Sequence, residues 1–199
     1  MSESPLREKW DRRYRDAQAR PRAVEVLQEN RHLLPGEGRA LDLACGLGGN
    51  ALLLAQAGLE TEAWDLSPVA IERLRAEAAA AGLERLHARV RDLEQSPPEA
   101  GSFDVICVGY FLERTLAPRL IDALRPGGLL FYQTFTRLAV SERGPSNPEF
   151  RLAENELLRL FGPLTLHFYR EEGRLGDLSR GLRDLAMLVA EKPRAGQAG

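Results

Sequence analysis

Between Ala40 and Thr134 five short strand-like runs alternate with stretches of helical character, and glycine or proline stands at most of the changes. The runs are Ala40–Ala44, Glu60–Trp64 ending at Asp65, Leu86–Val90, Phe103–Val108 and Leu129–Thr134. Helical patterns cover Asn50–Ala57, closed by Gly58, then Ser67-Pro68 to Ala81, stopped at Gly82, and Leu116–Leu124. Ser67 suits an N-cap, and Pro68 suits the first helical turn, where its missing amide hydrogen is no loss. Asp92–Gly101 reads as an acidic, proline-containing loop, and Arg125-Pro126-Gly127-Gly128 as a turn. Strand–helix alternation of this kind predicts a parallel sheet wound by right-handed crossovers, with helices on both faces.

The flanks depart from that rhythm. Pro5 to about Leu34 predicts one amphipathic helix, with Trp10 and Tyr14 four apart on one face. After the fifth run come a polar loop, Arg137–Pro148, a helix around Glu154–Phe161, and two strands, Leu164–Arg170 and Leu185–Ala190. No helix separates these last strands, so they are expected to form an antiparallel hairpin at the sheet edge. The expected plan is one domain over 1–192: a helical lid (1–35), a core (38–135), a substrate loop, helix and hairpin (136–192), then a disordered tail (193–199).

A formal charge of −2 excludes a general electrostatic pull toward nucleic acid or membrane. The seven N-terminal basic residues from Arg7 to Arg22 alternate with acids, as on a solvated helix face. Two cysteines, Cys45 and Cys107, stand outside any CxxC or Cys/His array, which disfavours a disulfide framework and a zinc site. No apolar segment follows the basic N-terminus and no run reaches spanning length, so a soluble cytoplasmic protein, monomer or homodimer, is expected.

Chemistry concentrates after the first run, in Leu41-Asp42-Leu43-Ala44-Cys45-Gly46-Leu47-Gly48-Gly49-Asn50. Glycines there allow close approach of a ligand and aim amides at an anionic group near a helix N-terminus. Such a turn alone also satisfies a dinucleotide fingerprint, or is merely structural. Asp65 sharpens it: the acid ends the second strand 19 positions after Gly46, where a carboxylate meets ribose hydroxyls. The alternative for Asp65 is a capping or solvated aspartate.

Four segments, in this order and at this separation, resemble class I S-adenosylmethionine-dependent methyltransferases: LDLACGLGGN at 41–50, AWDLSP at 63–68, RDLE at 91–94, and FDVICVGYFLE at 103–113 leading to LRPGG at 124–128. The resemblance covers about residues 38–135. It implies a Rossmann-like, doubly wound, mostly parallel seven-stranded α/β sheet with an antiparallel C-terminal edge hairpin. It also implies S-adenosyl-L-methionine as cofactor and S-adenosyl-L-homocysteine as product.

On that resemblance Ala44, Cys45, Gly46, Gly48 and Asn50 would line the methionine portion, and Asp42 would hold its amino group. Asp65 would take the ribose hydroxyls, with Leu66 on the adenine face. Asp92 and the Leu93 amide would serve adenine, while Val108, Gly109 and Tyr110 would stand beside the reactive methyl. Asp92 has a plain turn aspartate as its alternative. Trp10 and Tyr14 would form a lid, or simply anchor the first helix.

In-line methyl transfer needs alignment and exclusion of water, so the lack of a catalytic triad or metal cluster does not count against an enzyme. The substrate-side candidates are Tyr14, Tyr110, Arg137 and Arg151; with Arg143 and Asn147 the last two would give an anion-attracting entrance, unless they are only solvated. Gly109-Tyr110-Phe111-Leu112 lacks the prolines that accompany methylation of exocyclic amino groups, which leaves a small-molecule acceptor and no nucleic-acid partner. Size and the Lys9-Trp10-Asp11-x-x-Tyr14 segment are similar to tellurite-resistance-type methyltransferases, which act on metalloid oxyanions and related soft nucleophiles. Competing readings are a non-catalytic S-adenosylmethionine-binding module and an NAD-dependent oxidoreductase.

Overall fold

A computed structural model describes residues 5–18, 21–194 and 196. Its strands are β1 (Arg39–Leu43), β2 (Glu60–Asp65), β3 (Leu86–Val90), β4 (Phe103–Gly109), β5 (Leu124–Phe135), β6 (Thr165–Glu171) and β7 (Leu185–Glu191). The helices are α1 (Pro5–Asp16), α2 (Glu25–Glu29), α3 (Gly49–Gln56), α4 (Pro68–Ala80), α5 (Ala117–Ala123) and α6 (Glu156–Leu160). Part of the expected tail, residues 195 and 197–199, lies outside the described residues.

The seven strands form one sheet in the order β3-β2-β1-β4-β5-β7-β6. β1 pairs in parallel with β2 on one side and β4 on the other. The winding therefore reverses at β1, and a crevice opens above the carboxyl ends of β1 and β4, where ligands of open α/β sheets bind. β7 runs antiparallel to both β5 and β6, so the expected C-terminal hairpin is present, with β6 outermost.

Strands of the centre are covered on both sides and read as apolar runs for that reason. On one face Val26 and Leu27 of α2 and Leu54 of α3 pack against Ala40, Val105 and Phe131. Ala51 and Ala55 of α3 meet Ile71 and Leu74 of α4 over Ala63 and Ala88. On the other, Leu120 of α5 and Leu157 of α6 close over Leu41, Leu43, Ile106 and Leu130. Ser67 caps α4 by accepting from the Ala70 amide at 3.2 Å.

Two expectations are corrected. The N-terminal helix does not run unbroken to Leu34: α1 ends at Asp16 and α2 begins at Glu25, and residues 17–18 and 21–24, Pro21 among them, are not helical. Proline lacks the amide hydrogen that a continuous helix would use there. The Arg125–Gly128 segment is not a turn before the fifth strand but a bulge inside it. Phe103 pairs with Leu124 and Val105 already with Leu129, and Gly127 (φ +83°) carries the extra backbone.

Candidate functional site

Beyond Leu43 the chain makes a tight turn whose backbone enters the left-handed region at Ala44 (φ +54°), Gly46 (+52°) and Gly48 (+81°). The Cys45 amide donates to Trp64 O at 2.9 Å, so the turn stays attached to β2, and the Gly48 amide donates to Cys45 O at 2.8 Å. An alanine in that region is strained, and such strain collects at ligand sites.

Asp42 and Asp65 flank this turn. The Asp42 carboxylate accepts from Asn50 Nδ2 at 3.1 Å and from the Ala51 amide at 3.0 Å, which ties β1 to the first turn of α3. It is wholly buried, and desolvation pushes its pKa up from 3.8 to about 7 despite those two bonds. Asp65 accepts from the Gly46 amide at 2.8 Å and from the Ser67 amide at 2.9 Å. Burial raises its pKa too, against the two amides. Neither acid has an ion-pair partner among the described residues. The crevice therefore holds two acids without a counter-charge, and burial favours their neutral forms.

Glycines around the turn serve close approach, mostly of protein to protein. A Cβ at Gly48 would lie 2.3 Å from Leu74 Cδ1, and one at Gly49 would lie 2.2 Å from Arg22 O. Gly46 differs. Its neighbour is the tip of a flexible side chain, with Tyr14 Oη 3.0 Å from the Cβ position.

That phenol arrives on α1, where no residue is fully buried but Tyr14 is partly covered. The helix is held by its polar edge: Ser67 Oγ donates to Asp11, and Arg73 donates to the carbonyls of Tyr14 and, at 2.9 Å, Ala17. Trp10 stacks on Tyr14 with centroids 5.7 Å apart. Burial, then the Asp65 charge, raise the Tyr14 pKa and keep the phenol protonated.

A second polar group lies at the ends of β4 and β5, and sequence reasoning missed two of its members, Glu25 and Gln133. A Cβ at Gly109 would meet Val24 Cγ1 at 2.6 Å, so the chain entering α2 rests directly on β4. The Val24 amide donates to Asn50 Oδ1 at 2.9 Å, and Asn50 also binds Asp42, so the two groups adjoin. Gln133, fully buried, accepts from the Val26 amide through Oε1 at 2.8 Å. That bond fixes the amide orientation, so Nε2 donates to Glu25 Oε2 and, at 3.1 Å, to Tyr110 Oη. Tyr110 Oη donates to the same Glu25 oxygen at 3.1 Å. Tyr110 adopts φ +58° and packs against Phe135 with ring centroids 5.2 Å apart. A lone amide at a buried strand position is the signal that could have marked Gln133, because it demands partners.

The remaining expected residues are distributed as follows. Leu66 and Asp92 are half-buried beside β2 and β3, and Leu93 is buried. Asp92 Oδ1 accepts from the Glu94 amide at 3.0 Å. Cys45 is buried, its thiol pKa pushed up by desolvation, whereas Val108 packs in the core with Leu41 and Leu43 and does not line open space. Of the loop arginines, Arg143 lies near enough to Tyr110 for its charge to act on that phenol, whereas Arg137 and Arg151 turn to the loop's own backbone. Arg151 donates to the carbonyls of Pro145, Thr136 and Arg143, tying 136–151 together. Arg137 donates to Pro148 O at 3.2 Å and faces Glu149 at 3.7 Å, and Asn147 caps the turn at Glu149. Among the described residues no group of His, Cys, Asp and Glu could hold a metal ion, and no helix is long and apolar enough to cross a membrane.

A winding reversal at β1, a strained turn and an acid at the end of the neighbouring strand make up the arrangement at which open α/β domains hold nucleosides. Residues 40–128 match the family profile described as a methyltransferase domain. A ubiquinone biosynthesis O-methyltransferase of Xanthomonas axonopodis pv. citri (strain 306) is 27% identical over 165 residues, 80% of this chain and 66% of its own length. The chain thus spans under two thirds of the length of that curated relative, and 62% of the counterpart from Xanthomonas campestris pv. campestris (strain B100). The fold is shared with a SAM-dependent methyltransferase from Aquifex aeolicus, TM-score 0.68, 15% identity, 96% of this chain and 100% of the other. TehB from Haemophilus influenzae superposes with TM-score 0.67 at 20% identity, over 94% of this chain and 66% of its own.

Proposed function

We propose that this protein transfers a methyl group from S-adenosylmethionine to a small-molecule acceptor and releases S-adenosylhomocysteine. The observation that carries the reading is the pair of buried, unpaired carboxylates on either side of the Gly46 turn. S-adenosylmethionine brings a sulfonium and an ammonium, and both suit a crevice whose two acids lack a counter-charge and can ionise beside a cation, whereas the diphosphate of a nicotinamide dinucleotide does not. This disfavours the oxidoreductase reading.

The residues fit that donor. Asp42 would hold the amino group, and each Asp65 oxygen, one amide already bound, keeps a lone pair for a ribose hydroxyl. The atoms nearest the Gly46 Cβ position all belong to the Tyr14 ring, and a side chain can yield where backbone cannot. Leu66, Asp92 and the Leu93 amide are the proposed adenine contacts. When bound, the donor supplies an electrophilic methyl with a neutral thioether as leaving group. The chain's own residues orient it and, through α1, keep water from it.

The name of the curated relative supports a small acceptor, and a crevice lined by acids offers no basic surface for a nucleic-acid strand. Calorimetry with S-adenosylmethionine and with NADH tests the donor: binding of the first alone is expected, and binding of NADH alone would overturn the reading. Incubation with labelled donor and a metabolite panel tests transfer. Binding without transfer to any acceptor would favour the non-catalytic module.

A further inference from the structure

Resting on the methyl-transfer reading, we infer that Glu25 is the proton acceptor of this site and that the acceptor substrate is a neutral aromatic hydroxyl. Glu25 is half-buried, and its two carboxylate oxygens differ. Oε2 takes both neighbours, Tyr110 Oη and Gln133 Nε2, while Oε1 has no hydrogen bond among the described residues. A carboxylate pinned through one oxygen and open through the other is held ready for an incoming O–H. Its position is set by the frame and not by chance. The preceding residue, Val24, rests on Gly109 and binds Asn50, and Asn50 binds Asp42 at the amino acid end of the crevice.

Charge then selects the acceptor. Glu25 adjoins Asp42 through Val24 and Asn50, and an anionic acceptor, a metalloid oxyanion included, would enter against the Glu25 carboxylate. A neutral hydroxyl is not repelled, but it must lose its proton as it is methylated. Tyr110, 42% exposed and backed by Phe135, presents an aromatic ring beside that carboxylate. In the step the acceptor oxygen gains the methyl carbon and its proton passes to Glu25 Oε1. The electron pair of the broken carbon–sulfur bond stays on the donor's sulfur. The other charged or titratable groups facing this point are Tyr110, its pKa raised to about 12 by burial and by Glu25, and Arg143, whose charge acts on that phenol.

The test compares wild type with Glu25→Gln, using catechol as acceptor and tellurite and thiophenol as competing probes. Thermal melting confirms that the variant is folded. Both proteins are expected to bind S-adenosylmethionine alike, and both to turn over catechol. At neutral pH the variant should be slower by roughly 10²–10⁴-fold, the span of general-base catalysis. The gap should narrow as pH rises and catechol ionises unaided, which a merely structural loss would not do. Catechol binding to the cofactor-free protein, read by calorimetry, should weaken roughly tenfold with loss of the charge-assisted bond. Equal rates in the two proteins, a gap that persists at all pH values, or methylation of tellurite or thiophenol in preference to catechol would overturn the inference. So would donor binding by wild type without catechol turnover. Failure of wild type to bind the donor would instead remove the function proposed above.

Discussion

Asp42 offers the most direct test of the crevice, because its charge state couples donor binding to pH. Burial raises its pKa from 3.8 to about 7 in the ligand-free protein. Below the unfolded value both folded and unfolded chains hold the proton, and the side chain costs nothing. As pH rises the unfolded chain ionises first, so stability falls progressively and the full cost, about 4 kcal/mol, is reached above the folded value. An ammonium held by Asp42 needs the carboxylate, so at pH 6, where about nine-tenths of the folded protein keeps this proton, binding must release it. Affinity should then fall about fivefold from pH 7 to pH 6 and about fiftyfold from pH 7 to pH 5. Calorimetry in buffers of different ionisation enthalpy reads the same linkage directly. Close to one proton should be released at pH 6 and few at pH 8. Asp42→Asn should bind more weakly at pH 8 and lose most of the proton release at pH 6. Proton release unaltered in the variant, or wild-type affinity flat between pH 5 and 7, would refute the argument that Asp42 meets a cation.

Three further outcomes follow from neighbouring residues. Asp65→Ala should weaken donor binding by about 1–3 kcal/mol, since it unpairs the Gly46 and Ser67 amides and removes the ribose acceptor; unchanged affinity in the folded variant would take Asp65 out of the site. Gly48→Ala should lower stability by about 1–3 kcal/mol, because the methyl meets Leu74 and φ is +81°. Gly36→Ala, with open space around it, should leave the melting curve within about 0.5 kcal/mol of wild type; equal effects would contradict the packing argument. Tyr14→Ala should speed donor dissociation at least tenfold in stopped-flow measurements while α1 remains helical; an unaltered rate would show that the phenol does not cover the bound donor.

Much of the fold is legible in the residues because the central strands are covered on both faces. Ala40–Leu43, Ala63–Trp64 and Val105–Val108 therefore cannot carry many polar groups and stand out as apolar runs. The acids that interrupt them, Asp42 and Asp65, stand out for the same reason, as do the glycines between. The segment from Asp16 to Glu25 was harder to read. Helical periodicity continues through it, and what ends the helix is Pro21 together with the demand that Val24 reach Gly109 and Asn50. The first cause is written locally; the second is tertiary.

Glu25 and Gln133 show where local reading stops. They are separated by 108 positions, and neither lies in a motif. Gln133 is anomalous in its own strand, a buried amide among apolar residues, and a buried amide without partners costs on the order of 2–7 kcal/mol. The strand thus announces that some chain segment must cross it with a free amide and an acceptor, but not which segment. The entry to α2 supplies both within two residues, the Val26 amide and the Glu25 carboxylate. A carboxylate recruited to satisfy a buried amide is also a carboxylate held in one orientation. That rigidity, paid for by the sheet, is what a proton acceptor at the mouth of a methyl-transfer crevice requires.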